Sequence, residues 1–411
     1  MKQLNAESLY DFKTVTNPTV SADGNTAVVV VTEMNQEKNE YIANLHAFQL
    51  SEGKGETVQI TYGEDKNIAP KWAPVGDKLA FLSNRSGKMQ LFIKHGLADA
   101  KQLTDEKQGV LSFVWSLGGD KIAYTAMQKE VATEDSANDV PTPVVVDEMK
   151  YKSDARGLHD DSVMQVGLID LNNGEQKWLT NAPYDVQLID FSADSNAVLV
   201  AANRSANRDF TFSSDVWFID ITTLEETKVT KEPLNLMGGA VSPNGQHVVL
   251  LGHYREYENA THPSLYLFDL QTKSNKSLSA STDVLIGDVV VADFLQNIGS
   301  NQPVFSTDGN TVFTLVSSHG HANLWSYQLD GSVKEISKLE GHVHGFAVQN
   351  EQAIITYSDI KKPSEVYRLN ISTGTLDPMT AFNAEVEQTF EINVPEPIRL
   401  TREDGSFVEG G

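Results

Sequence analysis

Two pairs of histidines are the side chains whose type and spacing could bind a metal ion. The pairs are His319 with His321 and His342 with His344. Residues i and i+2 of a β-strand share one face, so two such pairs could bring four imidazoles to a zinc ion. Gly320, however, is typical of a turn. We therefore interpret these histidines as loop or channel-lining residues and predict no metal site.

Three aspartates recur at equivalent places along the chain and could suggest calcium. They are Asp23, Asp194 and Asp308. Calcium requires six to eight oxygen ligands, and one carboxylate per turn cannot supply them. Aspartate also accepts hydrogen bonds from its own backbone two residues on. We predict that these residues form turns.

Positive charge is concentrated in one segment of an otherwise acidic chain. Lys150, Lys152 and Arg156 lie with Tyr151 in a stretch, residues 127–161, that is far longer than a hairpin needs. Such basic side chains could bind the carboxylate of a ligand. They could equally pair with neighbouring acids of the same segment, namely Asp147, Glu148 and Asp154.

The two parts of this long segment differ in composition. Residues 130–138 are acidic and poor in apolar side chains, as in a surface loop. Val144–Val146 and Met149–Tyr151 have strand character. A second loop, residues 203–212, carries Arg204 and Arg208, which we interpret as solvated side chains.

Motifs for nucleophilic catalysis, phosphate binding or metal binding do not occur in the sequence. There is no Gly-x-Ser-x-Gly, no Gly-x-x-x-x-Gly-Lys-Ser/Thr, no Gly-x-Gly-x-x-Gly and no His-Glu-x-x-His. A serine outside a strained turn, without a base and an oxyanion hole, is an ordinary hydroxyl. We predict no catalytic residue in this chain and no cofactor.

The elements that must position these residues are repeated. An apolar residue, a small residue and an Asp, Asn or Gly turn precede an apolar strand, as in Phe305-Ser306-Thr307-Asp308-Gly309 before Val312–Val316. A second strand follows, and each unit closes with an apolar residue and a hydroxyl. The closing pairs are Ile60-Thr61, Leu103-Thr104, Leu179-Thr180, Val229-Thr230, Leu278-Ser279, Ile336-Ser337 and Met379-Thr380.

These repeats predict the fold. Their spacing of about 53 residues suits a four-stranded propeller blade with long loops. The period of the apolar residues is that of strands, which excludes helical repeats. We predict an all-β, seven-bladed β-propeller with four-stranded antiparallel blades, and one short helix near Ala6–Lys13.

Composition excludes several classes of protein. The 411 residues include 32 basic and 56 acidic side chains, a formal net charge of −24. Such a charge disfavours binding to nucleic acid and to anionic membranes, which both attract basic proteins. No apolar run reaches the roughly 20 residues of a membrane span, and the first residues lack a secretory signal core. We expect a cytoplasmic protein. With no cysteine there are no disulfides, although the redox compartment stays open.

Three segments resemble one family of enzymes. The turns of the Trp/Phe-Ser-Pro-Asp-Gly type, the Tyr151-Lys152-Ser153-Asp154-Ala155-Arg156-Gly157 segment, and the tail from Thr380 to Gly410 are similar to the prolyl oligopeptidase family of serine peptidases, in its acylaminoacyl-peptidase branch. The tail resembles that family's exit from its propeller toward an α/β-hydrolase domain. The similarity extends over nearly the whole chain.

The resemblance implies that catalysis and substrate access belong to different domains. In this family the Ser, Asp and His of the triad belong to the hydrolase domain, and the propeller caps the active site and admits only peptides. We therefore expect a non-catalytic propeller, inactive alone, whose parent is a serine peptidase acting on short peptides. Expected domains are an N-terminal segment (1–17), the propeller (18–382, with an insertion at about 127–161) and a linker (383–411).

The resemblance also bears on the basic segment. It favours a position facing the cleft between the two domains, where Tyr151, Lys152 and Arg156 would contact a peptide substrate or the hydrolase domain. Homo-oligomerisation remains open. The alternative is a freestanding TolB-like propeller that serves as a platform for protein interactions.

Overall fold

The structure is a computed structural model in which residues 1–51, 55–96, 98–129, 145–154, 157–290, 294–296, 302–396 and 398–410 are described. Strands dominate it. Strand β1 (Lys2–Gln3) lies at the N-terminus and pairs in parallel with β33 (Phe390–Glu391). None of the described helices is long and apolar enough to cross a bilayer.

Five sheets of the described chain contain four antiparallel strands each, and in every one of them the strands pair in the order of the chain. The first sheet is β2 (Thr14–Val20), β3 (Thr26–Asn35), β4 (Glu40–Gln49) and β5 (Val58–Gln59). The second is β6 (Asn67–Trp72), β7 (Lys78–Ser83), β8 (Gln90–His95) and β9 (Lys101–Gln102). The third is β10 (Val110–Trp115), β11 (Lys121–Gln128), β14 (Val163–Asp170) and β15 (Gln176–Trp178), and between β11 and β14 lies a small hairpin of β12 (Lys152–Ser153) and β13 (Gly157–Leu158).

The fourth sheet is β16 (Val186–Phe191), β17 (Ala197–Ala202), β18 (Asp215–Asp220) and β19 (Glu226–Lys228). The fifth is β20 (Asn235–Val241), β21 (His247–His253), β22 (Ser264–Asp269) and β23 (Asn275–Ser277). The four-stranded antiparallel sheets predicted from the repeats are thus confirmed.

The remaining strands form one nine-stranded sheet with two antiparallel parts. We number these two parts as the sixth and seventh sets of strands, after the five sheets. The sixth set is β24 (Leu285–Ile286), β25 (Val304–Phe305), β26 (Thr311–Ser318), β27 (His321–Gln328) and β28 (Val333–Glu335). The seventh set is β29 (His342–Gln349), β30 (Gln352–Ser358), β31 (Glu365–Asn370) and β32 (Leu376–Pro378). A single parallel residue pair, Ala322 with His342, joins the two parts. A separate hairpin of β34 (Ile398–Thr401) and β35 (Phe407–Gly410) follows.

The recurring aspartates form turns, as predicted. The Asp23 carboxylate accepts hydrogen bonds from Ser21 Oγ at 2.6 Å and from the Asn25 amide at 3.1 Å. Asp194 and Asp308 repeat both contacts with the serine two residues before and the amide two residues after. The serine hydroxyl contributes most to lowering the pKa of all three carboxyls.

Apolar side chains pack between successive sheets. One cluster joins Val28 and Leu45 of the first sheet to Leu79 and Phe81 of the second, and equivalent clusters follow along the chain. A further cluster joins Val29 of the first sheet to Ile354, Val366 and Met379 of the last set. The first and last sheets are therefore neighbours.

Hydrogen bonds strengthen this seam between the two ends of the chain. Ser364 Oγ accepts from the Val15 amide at 2.9 Å and donates to the Val15 carbonyl at 2.6 Å. The buried Asn383 side chain accepts from the Lys13 amide at 2.9 Å and donates to the Lys13 and Ser364 carbonyls. Among the described strands, none of the first sheet pairs with one of the last set, so side chains close the seam between them.

Helices are short. The predicted N-terminal helix is confirmed as a 3₁₀ helix, Ala6–Asp11, which begins after Asn5 because the Asn5 side chain accepts from the Ser8 amide at 3.0 Å. Two further 3₁₀ helices, Arg208–Phe210 and Glu258–Ala260, and an α-helix, Ala384–Thr389, were not predicted. The expectation of a single helix was wrong, because turns at loop ends and a chain leaving its last strand form helical hydrogen bonds without a repeat signal.

Candidate functional site

One face of the molecule carries the long connections and both ends of the chain. In an antiparallel sheet, the connection from the second to the third strand lies at the end where the first strand begins. Residues 203–214 and 254–263 are such connections in the fourth and fifth sheets, and the described residues between β11 and β14, namely 129, 145–154 and 157–162, belong to the connection of the third. The chain enters β2 and leaves β32 at the same end. We call this the long-loop face.

The basic segment is attached to the long-loop face by one carboxylate. Asp209 accepts hydrogen bonds from the amides of Met149, at 2.7 Å, and Lys150, at 2.9 Å. These two amides contribute most to lowering the pKa of Asp209. The strand character predicted for Val144–Val146 and Met149–Tyr151 is wrong for the described residues, which form no strand. At Met149 and Lys150 the backbone amides bond this carboxylate. Val144 lies outside the described residues.

Lys150 completes the attachment. Its ammonium donates to the carbonyls of Arg208, at 2.5 Å, and Thr211, and lies 4.6 Å from the centre of the Phe212 ring. Burial lowers the pKa of Lys150. On the same ring lies the Arg255 guanidinium, 5.2 Å from its centre. Phe212 therefore links the basic segment to the loops of the fourth and fifth sheets.

The predicted contact residues have different outcomes. Tyr151 lies next to the anchored Lys150 and is 41% exposed. Lys152 is exposed and pairs with Leu158 in the β12–β13 hairpin, which a contact of 2.9 Å between Ser153 Oγ and His159 Nε2 supports. Arg156 lies outside the described residues. The role predicted for the three side chains stays a prediction.

Large apolar side chains are exposed around this attachment. Phe210 is 66% exposed, Phe212 57%, Tyr257 77% and Met149 67%. They come from loops that the contacts of Asp209, Lys150 and Arg255 hold together. We call these four residues the aromatic patch. Large exposed apolar side chains on neighbouring loops are typical of a surface that another domain or protein covers.

Arg204 has a structural role, and Arg208 contributes its backbone. The Arg204 guanidinium forms two hydrogen bonds with the Glu226 carboxylate, at 2.6 and 2.7 Å, and lies 3.9 Å from the centre of the Trp217 ring. It packs against its own sheet and is less solvated than predicted. The Arg208 carbonyl accepts from Lys150.

The two histidine pairs have separate partners. His319 and Gly320 form the tight β26–β27 turn, both with positive φ, which confirms the turn predicted at Gly320. His342 and His344 are buried: His342 Nε2 lies 2.6 Å from Asp288 Oδ2, and His344 Nδ1 lies 3.0 Å from Thr356 Oγ1. In the described ranges, no three His, Asp or Glu side chains are grouped to hold a metal ion.

The C-terminal hairpin also contacts the long-loop face. The Phe407 ring stacks on His319 with 5.8 Å between the ring centres, and Glu409 Oε2 lies 3.3 Å from His319 Nδ1. The Arg399 guanidinium covers the other side of Phe407 at 3.7 Å. The residues that follow the last sheet thus lie against the same end of the molecule as the aromatic patch.

Sequence reasoning missed Asp209 and the aromatic patch. A signal was present, since Asp209 and Phe210 directly follow Arg208 in a loop already singled out for its charge. What joins this loop to Lys150, 59 residues away in the chain, is the packing of the third sheet on the fourth.

Comparison with known proteins gives consistent matches. A family model described as the N-terminal β-propeller domain of acylaminoacyl-peptidase matches residues 88–363. The uncharacterized peptidase YuxL of Bacillus subtilis is 28% identical over 419 residues, which is all of this chain and 63% of the relative. Dipeptidyl-peptidase 5 of Porphyromonas gingivalis is 22% identical, over 94% of this chain and 57% of its own length. The chain thus spans less than two thirds of the curated relatives it matches.

Solved structures agree on the fold. The acylaminoacyl peptidase of Pyrococcus horikoshii superposes with a TM-score of 0.77 at 18% identity, over 99% of this chain and 58% of its own. The β-propeller domain of the trilobed protease from Pyrococcus furiosus, described as having an open velcro topology, superposes with a TM-score of 0.63 at 16% identity. The superposition covers 90% of this chain and 97% of that domain. The sheets have a propeller arrangement.

Proposed function

The chain belongs to the family of acylaminoacyl-peptidase N-terminal β-propeller domains, and from this premise we propose that it is the non-catalytic half of a cytoplasmic serine peptidase acting on short peptides. In this proposal the propeller covers the active site of a following α/β-hydrolase domain and admits substrates by size. The greater length of the curated relatives supports it.

We propose seven blades in a ring. Five are the four-stranded sheets, and the two parts of the nine-stranded sheet are the sixth and seventh. The arrangement of apolar clusters supports this count, because each cluster lies between two successive sets of strands and one joins the last set to the first. The seam that Ser364 and Asn383 bridge would close the ring.

The aromatic patch carries the functional proposal. A patch of Phe210, Phe212, Tyr257 and Met149 is exposed on the face where the chain enters and leaves the sheets. A domain joined to residues 383–411 would meet this face first. We propose that the hydrolase domain covers the patch, with Tyr151, Lys152 and Arg156 at the cleft between the domains.

The test uses the complete peptidase with Phe210→Ser and Phe212→Ser combined. Loss of the apolar contact should lower the thermal midpoint of the complete protein by several degrees. It should also raise the ratio of kcat/KM for a peptide of about 30 residues to that for a dipeptide substrate at least threefold, since the cleft opens. Leu117, 42% exposed in a turn at the opposite end, provides the control Leu117→Ser. Equal effects of the two changes, or no change in the ratio, would contradict the proposal.

Arg156 has a separate test in the same enzyme. If its guanidinium binds the substrate carboxylate, Arg156→Ala should lower kcat/KM by about 10- to 150-fold on peptides with a free carboxylate. The same peptides with an amidated C-terminus should be hydrolysed by the variant almost as fast as by the parent enzyme. An equal loss on both substrates would indicate an interdomain contact, and no loss on either would show that Arg156 is not at the site.

A further inference from the structure

The strand that precedes the Asp, Asn or Gly turn of each blade, which is β25 in the sixth set, contributes one residue at the same height to the inner edge of the ring. The register defines its place: each of these residues pairs with the third residue of the next strand, as Lys71 pairs with Ala80 and Asp190 with Leu199. The seven residues are Thr19, Lys71, Val114, Asp190, Ala240, Val304 and Ala347. All seven are at least partly exposed, whereas the residues just before them in several strands are buried.

Two members of this inner ring are charged, and their signs are opposite. The Lys71 ammonium donates to the Phe113 carbonyl of the third sheet at 2.7 Å and lies 5.2 Å from the centre of the Phe113 ring. Asp190 accepts from its neighbour, the Phe191 amide, at 2.8 Å and from the Val241 amide of the fifth sheet at 2.9 Å. Both side chains thus satisfy backbone groups at the inner edges of neighbouring sheets, where no further strand pairs.

In the proposed ring of blades, Lys71 and Asp190 face the same central space. Burial lowers the pKa of Lys71 although solvent reaches its side chain, and burial raises the pKa of Asp190 to about 6. Each charge also acts on the other, although the third sheet lies between their own sheets. Partial exposure combined with burial is what the wall of a central channel in the proposed ring would produce.

Both groups retain capacity for a ligand. An ammonium has three donors, and one of them is used by the Phe113 carbonyl. Each oxygen of the Asp190 carboxylate accepts one backbone amide and has a second lone pair. The other five members of the ring are short and uncharged, so within the ring only Lys71 and Asp190 can compete for a charged ligand.

We propose that Lys71 and Asp190 form a binding site for short zwitterionic peptides in the central channel, with the peptide carboxylate on Lys71 and its α-ammonium on Asp190. Lys71 and Asp190 lie near the ends of β6 and β16, next to the turns, so the site is at the channel mouth opposite the long-loop face. This inference rests on the proposed ring of blades and needs no peptidase activity.

The experiment titrates the 411-residue chain with the dipeptide Gly-Phe and follows the indole N–H signal of Trp115. That group donates to the Lys71 carbonyl at 3.0 Å and therefore reports on Lys71. Gly-Phe should produce a saturable shift at millimolar concentration. Gly-Phe amide and N-acetyl-Gly-Phe should each bind at least about tenfold more weakly, since each lacks one charge-assisted hydrogen bond.

Variants assign the two ends of the peptide. Lys71→Met and Lys71→Gln should remove the preference for Gly-Phe over Gly-Phe amide. Asp190→Asn should remove the preference for Gly-Phe over N-acetyl-Gly-Phe. Lys276 is a matched control, because its ammonium also donates to a carbonyl of the next sheet, Leu329 O at 2.6 Å, but on the outer surface. Lys276→Met should bind Gly-Phe as the parent chain does.

Several results would overturn the site. The site would be wrong if Gly-Phe and its amide bound with equal affinity, or if both Lys71 variants bound Gly-Phe as the parent chain does. It would also be wrong if Lys276→Met lost as much affinity as the Lys71 variants, or if acetate alone produced the whole shift of the Trp115 signal. Retained dispersion of the other indole signals shows that a variant is folded. If the complete peptidase hydrolyses peptides while this chain does not bind Gly-Phe, the channel site is wrong and the proposed function stands.

Discussion

At the scale of single residues, the repeated turns show how local chemistry sets backbone geometry. In three of these turns glycine follows the Asp or Asn and has a positive φ: +75° at Gly24, +69° at Gly245 and +72° at Gly309. The fourth sheet has Ser195 at this place, with φ +60°. An L-residue pays a steric cost in this region that glycine avoids.

We predict that Ser195→Gly stabilises the protein by about 0.5 to 1 kcal/mol. This is the net of two effects: glycine relieves the left-handed strain of the folded backbone, but its greater freedom in the unfolded chain opposes folding. Urea unfolding measures the change. The reciprocal control is Gly76→Ser, since Gly76 has φ +82° and a Cβ there would meet nothing within 4 Å. Gly76→Ser should lower the free energy of unfolding by a similar amount. A gain from both changes, or from neither, would refute the argument.

A second prediction at this scale concerns His46, a largely buried histidine whose Nδ1 has no hydrogen-bond partner among the described residues. Burial lowers its pKa to about 4. The folded state then binds fewer protons than the unfolded state below the ordinary value of 6.5. Stability from the neutral imidazole is present above pH 6.5 and is lost as the pH falls toward 4.

His46→Phe should therefore weaken the pH dependence of stability. The ring already packs edge-on against Phe382, with 5.2 Å between the ring centres, so phenylalanine fits. Between pH 6.5 and 4 the parent chain should lose a few kcal/mol more than the variant, as measured by urea unfolding at each pH. The exposed His262 gives the control His262→Phe. Parallel pH profiles for parent and His46→Phe would show that His46 does not contribute.

At the scale of elements, the seam between the first and last sheets depends on a few buried polar side chains. Asn383 is 1% exposed and bonds the backbone of Lys13 and Ser364, while its amide donates to Glu365 at 2.7 Å. Removing the side chain would take away the partner of the Lys13 amide and of the Lys13 and Ser364 carbonyls, whereas the bond from the Asn383 backbone amide to Glu365 would remain. An unpaired buried donor or acceptor costs about 1 to 3 kcal/mol.

Asn383→Ala should accordingly lower the free energy of unfolding by about 2 to 4 kcal/mol. Amide hydrogen exchange at Lys13 and Val15 should rise with it, because the seam opens locally. The control is Asn25→Ala, whose exposed side chain bonds only Asp23 in its own turn, at 2.8 Å. If both variants lose the same small amount, the seam does not limit stability.

At the scale of the whole molecule, the net charge of −24 opposes compactness at neutral pH. Salt screens this repulsion, and the screening length falls from about 20 Å at about 20 mM to about 4 Å at about 500 mM. Raising sodium chloride over this range at pH 7 should raise the thermal midpoint by several degrees. Near the isoelectric point of about 4.7 the same salt should have little effect. A midpoint that falls with salt at pH 7 would mean that local ion pairs outweigh the net repulsion.

The sequence by itself determined the local pattern of this protein. Asp23, Asp194 and Asp308 could be recognised as turn formers, and the apolar stretches as strands, because hydrogen bonds within five residues and the two-residue period decide both. Repetition at about 53 residues then indicated a propeller of four-stranded antiparallel sheets, and the family resemblance agreed with it. None of these conclusions requires knowing where one sheet lies relative to another.

Only the tertiary structure decided which distant residues meet. The Asp209 carboxylate binds the backbone at Lys150, and the Asn383 side chain binds the backbone at Lys13. In both cases the partners lie in segments that flank different sheets, so their distance depends on how the sheets are rotated about a common axis. Side-chain packing between sheets sets that rotation, and no local spacing in the chain encodes it.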